Sequence, residues 1–268
     1  MTTRGENIKN DVFDTSLSVR FELVKHLKHR RLLIMAALAV IVPLLFYIKI
    51  PDTAPVFAAN ALSFANLLIV ISAAMFAGDA VCGEFEKKTS LLLFSTPQSR
   101  LSIFAGKYIA ALMSTFLVIL LYYLTMTLQI GQHYGWGEIP TELGKSFLTA
   151  LIYSASAVGV VFLFSSLLKR SMPATIVGFL SLIMVLPVLS MILTVTNNEP
   201  WFIVTYSAGL ITDVLGVSTS FGGRGPGEHM NNITQYNPAF GVGIAVMVAY
   251  AIVAFVIGMV LANRKSEE

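Results

Sequence analysis

The residues whose types and spacing carry chemistry are concentrated at positions 79–107, a charged segment between two long apolar runs. Glu84 and Glu86 follow Gly83, where the first turn of a helix places acidic side chains against the positive end of the helix dipole. This pattern predicts a short helix at the point where the chain leaves an apolar run. It indicates the first half of a docking loop.

The second half of the segment contains another helix start. Thr96 followed by Pro97 is typical of an N-cap residue with proline at the first helical position. The apolar tetrad at 91–94, just before this start, is too short to cross a membrane and too apolar to remain in water without a partner. We therefore expect a partner to cover the tetrad.

Catalytic chemistry within this chain is not expected. A phosphate-binding loop needs G-x-x-x-x-G-K-[ST], and the best match, at 144–146, has Ile139 in place of the first glycine. The acids and histidines in the second half of the chain match no defined metal site. Because Cys82 is the single cysteine, an internal disulfide is excluded. We assign no catalytic residue, no metal ligand and no bound cofactor, and we expect neither enzyme activity nor a nucleic-acid partner.

The elements that position the charged segment are long apolar runs, each of which is long enough to cross a bilayer core as a helix. Helices are required because hydrocarbon offers backbone groups no hydrogen-bond partner, and no run alternates with the period of a barrel strand. The sequence thus predicts an all-α polytopic membrane protein. Its six spans are Leu32 to Ile50, Val56 to Gly78, Tyr108 to Gln129, Ser146 to Leu168, Pro173 to Val195 and Phe240 to Ala262.

The orientation follows from the lysines and arginines, which remain preferentially on the cytoplasmic side. With a cytoplasmic N-terminus, that side carries 15 of the 18 basic residues. We therefore expect both termini in the cytoplasm, with an N-terminal region at 1–31, a six-helix domain at 32–262 and a tail at 263–268. Because the first 31 residues are polar and basic, no cleavable signal peptide is expected.

The N-terminal region has an amphipathic pattern. Apolar residues recur at helical spacing and basic residues accompany them, which favours a helix in the inner membrane interface. An ordinary positive-inside anchor with no specific role is the alternative. The apolar positions are Phe13, Leu17, Phe21, Val24 and Leu27, and the basic positions are Arg20, Lys25, Lys28, Arg30 and Arg31.

The connection at 196–239 between the fifth and sixth spans has 44 residues, which is too long for a structureless loop. Its apolar first half and the aromatic residues Trp201, Tyr206 and Tyr236 suggest re-entrant helices that cap the outer mouth of a pathway. A loop resting on the membrane with no gating role is the alternative.

In the second span, Asn60, Ser63 and Asn66 recur at three-residue intervals and share one face. Polar side chains within a membrane either bind neighbouring helices or line a route for a substrate. We therefore consider these three residues as lining a pathway, with helix packing as the alternative.

The charged segment resembles the cytoplasmic signature of ABC-2 type transporter permeases, approximately G-E-x-E-x-G-T-L-x-L-L-L-S-x-P-x-S-R-x-x-I-x-x-G-K. It departs from that pattern at Lys88 and Ser90, and Asp79 precedes it as in the branch that includes the permease of nitrous-oxide reductase maturation. The matching residues are Gly83, Glu84, Glu86, Thr89, Leu92, Leu93, Ser95, Pro97, Ser99, Arg100, Ile103, Gly106 and Lys107.

The resemblance implies a permease subunit in the cell membrane that exports a substrate with the help of a separate ABC ATPase. In such proteins the loop after the second span contacts the ATPase, which binds ATP and Mg. Carried onto this chain, the coupling residues are Glu84, Phe85, Glu86, Thr89, Leu92, Leu93, Phe94, Thr96, Pro97, Arg100 and Lys107. Of these, Arg100 and Lys107 would hold the loop or face phospholipid.

The resemblance also implies a second permease subunit, identical or different, and contact with membrane lipid. A solvated charged face is the alternative interpretation of the segment. A stand-alone secondary carrier or a channel-like protein is the alternative function, although a carrier would be expected to have an ionised group within the membrane for its coupling ion. None of the six apolar runs contains one in its interior.

Overall fold

The computed structural model describes residues 4–28, 30–46, 51–86, 99–216 and 238–265. None of the described residues lies in a β-strand, which confirms the all-α prediction. The helices are α1 (Arg4–Lys28), α2 (Arg31–Leu45), α3 (Ala54–Ala77), α4 (Cys82–Glu86), α5 (Arg100–His133), α6 (Leu143–Leu167), α7 (Ser171–Leu180), α8 (Leu186–Val195), α9 (Val204–Ser207), α10 (Leu210–Asp213) and α11 (Phe240–Lys265).

Among its described residues, the structure contains helices that are long and apolar enough to span a membrane, but five of them rather than the six predicted. The five stretches that are long and apolar enough to cross a bilayer are Ala54–Glu86, Leu101–His133, Leu143–Leu167, Ser171–Val195 and Phe240–Arg264.

The first predicted span coincides with α2, which has 15 residues, and the run continues into positions 47–50, outside the described residues. A helix of 15 residues is shorter than the roughly 20 residues that a hydrocarbon core requires. The first span, with it the count of six, and the cytoplasmic location of both termini therefore stay predictions.

The centre of the bundle is formed by α3, α5 and α6, which pack against one another. The Tyr122 hydroxyl of α5 donates to the Ala61 carbonyl of α3, and Tyr123 and Ser146 share a hydrogen bond of 2.8 Å between α5 and α6. These tyrosines are buried, so their hydroxyls need such partners. These two hydrogen bonds fix the positions of the three helices relative to one another along their axes.

The sixth span, α11, packs on α6 through small residues and runs parallel to it. A Cβ added at Gly159 of α6 would lie 3.3 Å from the Ala254 Cβ, and one added at Gly258 would lie 2.8 Å from the Phe162 Cδ1. Close backbone approach of this kind is how membrane helices gain van der Waals contact, because burial from lipid supplies little driving force.

The fifth span consists of α7 and α8, joined by a π-helical turn at Ser181–Val185. Most of its side chains are exposed on this single chain, as are about half of those of α11. These two helices therefore present wide apolar faces outward.

Two short helices, α9 and α10, follow the fifth span, where re-entrant helices are predicted. The Ser146 hydroxyl of α6 donates to the Ile211 carbonyl of α10 at 2.6 Å, which fixes α10 against the bundle. Residues 217–237, including the predicted anchor Tyr236, lie outside the described part. Whether these helices re-enter a membrane stays a prediction.

Candidate functional site

Helix α1 lies directly against the backbone of α5. A Cβ added at Gly106 would lie 2.5 Å from the Ser18 Cβ and 3.2 Å from the Thr15 carbonyl oxygen, so the contact requires glycine at this position. Further along α1, the His26 ring packs edge-on against Phe76 of α3, with ring centroids 5.1 Å apart. The amphipathic helix is therefore tied to the same end of the bundle as the predicted docking segment.

Four charged side chains meet at this contact, and we call Glu22, Lys25, Glu84 and Lys107 the ionic cluster. The Lys107 Nζ lies 2.7 Å from the Oε1 of Glu22 on α1 and 2.7 Å from the Oε1 of Glu84 on α4. The Lys25 Nζ lies 3.1 Å from the Oε2 of Glu22. Lys107 thus joins three helices, α1, α4 and α5, through one ammonium group.

The ionic cluster is largely withdrawn from water, because the side chain of Lys107 is 4 % exposed and that of Glu22 is 9 % exposed. Its two acids and two bases balance in charge, which offsets much of the cost of removing them from water. Burial raises the pKa of Glu22, but the Lys107 and Lys25 ammonium groups lower it by more, so that this pKa lies below its usual value. Glu22 therefore remains ionised at neutral pH.

Glu86, at the end of α4, binds the start of the fifth span. Its Oε2 accepts a hydrogen bond of 2.8 Å from the Ser171 backbone N–H and another from the Ser171 hydroxyl. The first turn of a helix has unpaired N–H groups and a positive dipole end, so a carboxylate there is stabilising. Glu86 therefore connects α4 to α7.

Two further contacts fix the chain around α4. Arg31, at the start of α2, pairs with the Asp79 carboxylate at 2.9 Å. The Ser165 hydroxyl of α6 accepts from the backbone N–H groups of Val81 and Cys82 at 3.0 and 3.3 Å. The chain at and just before α4 is consequently attached to α1, α2, α5, α6 and α7.

The predicted coupling residues fall into two groups. Glu84 and Lys107 meet in the ionic cluster, Glu86 binds α7, and Phe85 is half-buried and packs against the core. Arg100 is the first residue of α5. The remaining predicted residues lie outside the described part of the chain: Thr89, Leu92, Leu93, Phe94, Thr96 and Pro97.

Sequence reasoning missed Glu22, Lys25 and Ser171 as partners of the docking segment. For Glu22 a signal was present, because it is an acid on the side of a basic amphipathic helix opposite to Phe13 and Leu17. Ser171 gave no such signal, because serine is common at helix N-termini and its presence there does not indicate a partner elsewhere in the chain.

The residues considered for a pathway differ in their surroundings. The Ser63 hydroxyl donates to the Ala59 carbonyl of its own helix at 3.0 Å, and Asn60 also has an interaction partner. The Asn66 Oδ1 is buried without a hydrogen-bond partner. Of the three, Asn66 has a buried polar atom without a hydrogen-bond partner, and the role of all three residues in a pathway stays a prediction.

Comparison with known proteins gives one family. The sequence model described as ABC-2 family transporter protein matches residues 5–266, and thus includes α1, the ionic cluster and all five candidate spans. No curated protein matches the chain. The match does not distinguish the branch that includes the nitrous-oxide reductase maturation permease, and this assignment stays a prediction.

Proposed function

Because the chain belongs to the ABC-2 family of transporter proteins, we propose that it is the permease subunit of an ATP-driven exporter in the cell membrane. A separate ABC ATPase docks on residues 79–107 from the cytoplasm, binds ATP and Mg, and drives the helices. The observation that carries this proposal is the shared contact of Lys107 with Glu22 and Glu84, because it attaches the family's docking segment firmly to the membrane helices.

Firm attachment is what a coupling segment requires. The described chain leaves α4 at Glu86, which binds α7, and resumes at Ser99, which caps α5 by accepting from the Ser102 N–H at 3.2 Å. A functional loop held at both ends by a rigid scaffold transmits a push to that scaffold. A loop attached by mobile ends would absorb the push instead.

The coupling residues then divide into two roles. Glu84, Glu86 and Lys107 are positioning residues, because their charged groups are engaged with α1, α5 and α7 rather than directed only to water. The contact with the ATPase falls to the segment between α4 and α5 and to its flanks. Its members are Phe85, Thr89, Leu92, Leu93, Phe94, Thr96, Pro97 and Arg100.

A second permease subunit completes the transporter in this proposal. The apolar faces of α7, α8 and α11 are exposed on the single chain and are available to lipid or to that subunit. The substrate path runs between the subunits, and the half-buried residues Asn60, Ser63 and Asn66 of α3 are its candidate lining residues. The carrier alternative is less favoured, because Lys107, a charged residue within a candidate span, is engaged by Glu22 and Glu84 in the ionic cluster.

The test is co-expression with each ABC ATPase encoded next to this gene, followed by co-purification and measurement of permease-dependent ATP hydrolysis. We expect Leu92→Glu to abolish both, because a carboxylate in an apolar contact is left unpaired. Phe202→Glu is the control, since it changes an apolar side chain that is 44 % exposed at the other end of the bundle. Retention of the complex and of stimulated hydrolysis in Leu92→Glu would refute the proposed docking site.

Glu84→Arg is a poor test of the same contact. It would place a cation beside Lys107 and Lys25, which lie 2.7 and 3.7 Å from the Glu84 Oε1, and would disrupt the ionic cluster itself. A lost complex would then report a displaced segment rather than a lost contact.

A further inference from the structure

The outer face of α1 carries no exposed acid in its described side chains. Between Phe13 and Lys28, and at Arg30 after it, each exposed side chain is apolar, basic or a serine. Phe13 and Phe21 are both 68 % exposed. The exposed basic residues are Arg20, Lys28 and Arg30.

The acids of α1 whose side chains are described lie on its other sides. Glu22 is buried in the ionic cluster, and Asp14 is half-buried. At 100° per residue, Phe13 and Val24 lie on the opposite side of the helix from Glu22. One helix therefore has an apolar and basic outer face and an inner face that binds α4 and α5 through charges.

We propose that the outer face of α1 docks on an anionic lipid leaflet, and that this docking stabilises the ionic cluster and with it the position of α4. This proposal does not rest on the proposed function, because the docking and its effect on α4 both belong to this chain alone.

Lipid is the occupant that the chemistry favours. Phenylalanine and leucine side chains enter the acyl boundary while arginine and lysine extend their charged ends to headgroup phosphates. The chain enters the apolar helix α2 at Arg31, three residues after α1 ends, which keeps the C-terminal end of α1 close to the bilayer surface. A face with exposed bases and no exposed acids complements a negatively charged leaflet.

The consequence for α4 follows from the shared helix. Glu22 lies 2.7 Å from Lys107, and Lys25 lies 3.7 Å from Glu84, only while α1 lies on α5. Lipid that binds the docked position of α1, and not a detached one, shifts the equilibrium toward the closed cluster. Lipid charge thus determines how often α4 opens.

Two measurements on the purified permease, without any ATPase, test the proposal. The first uses Cys82, the only cysteine of the chain, whose buried thiol reacts with a maleimide only when α4 opens locally. Labelling is compared in nanodiscs of phosphatidylcholine and in nanodiscs that also contain phosphatidylglycerol. We expect slower labelling with phosphatidylglycerol, by roughly fivefold for each base that contacts it.

Neutralising the three exposed bases is expected to remove this difference between the two lipids. The variant combines Arg20→Gln, Lys28→Gln and Arg30→Gln. The matched control combines Lys169→Gln, Arg170→Gln and Arg264→Gln, which neutralise three exposed bases at the same end of the bundle but off α1. The control is expected to respond to phosphatidylglycerol as the wild type does.

The second measurement locates the outer face directly. Phe21→Trp is introduced after both natural tryptophans, Trp136 and Trp201, are replaced by phenylalanine. We expect brominated lipid to quench the new tryptophan, and phosphatidylglycerol to increase the quenching.

Equal Cys82 labelling in both lipids would overturn the proposal, as would an equal loss of response in the control. Absence of quenching by brominated lipid at position 21 would also overturn the proposal. If the tryptophan at position 21 instead became shielded from solvent only after an ATPase was added, the face would be assigned to a protein partner, and the proposal would be overturned as well. Loss of ATPase binding in a separate experiment would leave these results unchanged, so the failure of the two proposals is distinguishable.

Discussion

Replacing Lys107 by methionine tests the central contact of the structure. The substitution keeps an unbranched side chain of similar length in α5 and removes only the ammonium group. It leaves the carboxylates of Glu22 and Glu84, which both lie 2.7 Å from the Lys107 Nζ, close together without the cation between them. We expect α4 and α1 to separate locally from α5.

The expected free-energy cost follows from the burial of the ionic cluster and from the charged groups that remain in it. Removing one partner of a buried ion pair costs about 3–5 kcal/mol, because the other charge stays buried and unpaired. Lys25 still lies 3.1 Å from Glu22 and 3.7 Å from Glu84, and it can satisfy part of the lost interaction. We therefore expect the lower end of that range, about 3 kcal/mol of local opening free energy.

The assay is the rate of maleimide labelling at Cys82, which is buried at the first turn of α4 and whose backbone N–H donates to Ser165. When opening and closing are fast, the labelling rate follows the open population. A change of about 3 kcal/mol then accelerates labelling roughly 100-fold. The global fold, measured by thermal unfolding in detergent, is expected to persist.

Two variants separate the ionic explanation from simple loss of packing. Lys145→Met removes an exposed lysine at the opposite end of the bundle and is expected to leave the labelling rate unchanged. The triple variant Glu22→Gln, Glu84→Gln and Lys107→Met leaves no buried charge unpaired and is expected to recover most of the protection. Wild-type labelling in Lys107→Met, or a triple variant that labels as fast as the single one, would refute the reasoning.

Three further predictions concern the same end of the bundle. Gly106→Ala places a Cβ 2.5 Å from that of Ser18, so we expect faster hydrogen exchange across α1, whereas Gly144→Ala, with nothing within 4 Å of its Cβ, should cause none. Glu86→Ala removes the carboxylate that accepts two hydrogen bonds at the start of α7 and is expected to cost about 1 kcal/mol in thermal or denaturant unfolding, as for a lost N-cap. Burial lowers the pKa of His26 to about 4. A lowered histidine pKa contributes stability in full above the unfolded value, near 6.5, and this stability is lost as pH falls toward 4. The opening free energy of α1, obtained from amide exchange after correction for the intrinsic pH dependence of exchange, should therefore fall by up to about 3 kcal/mol across that window, and by less in His26→Phe.

Much of the architecture was predictable because a bilayer permits few solutions. Uninterrupted apolar runs of about 20 residues have no stable form in lipid other than helices, so the all-α fold followed from hydropathy alone. The run at 32–50 was harder, because hydropathy does not show where a helix ends, and α2 ends at Leu45 in the described part of the chain. The signature residues likewise identified the family, because the match of residues to a pattern does not depend on coordinates.

The roles of individual charges were not predictable in the same way. Glu84 and Glu86 lie two positions apart in the five-residue helix α4, on different sides of it, but this spacing does not show which helix each side contacts. In the structure Glu84 binds Lys107 and Glu86 binds the start of α7. Hydrophobic periodicity reports which side of a helix faces the core, but it does not report which distant helix lies against that side.

The sequence by itself determined that this protein is a helical membrane protein of the ABC-2 family with a charged segment between two spans. Only the tertiary structure decided that this segment is tied to the amphipathic helix. Glu22 and Lys107 are separated by 85 positions, and their charges are brought to 2.7 Å by a glycine contact between two helices. Secondary structure depends on local composition and period, whereas an ion pair depends on the approach of two surfaces, and that approach exists only once the helices have packed.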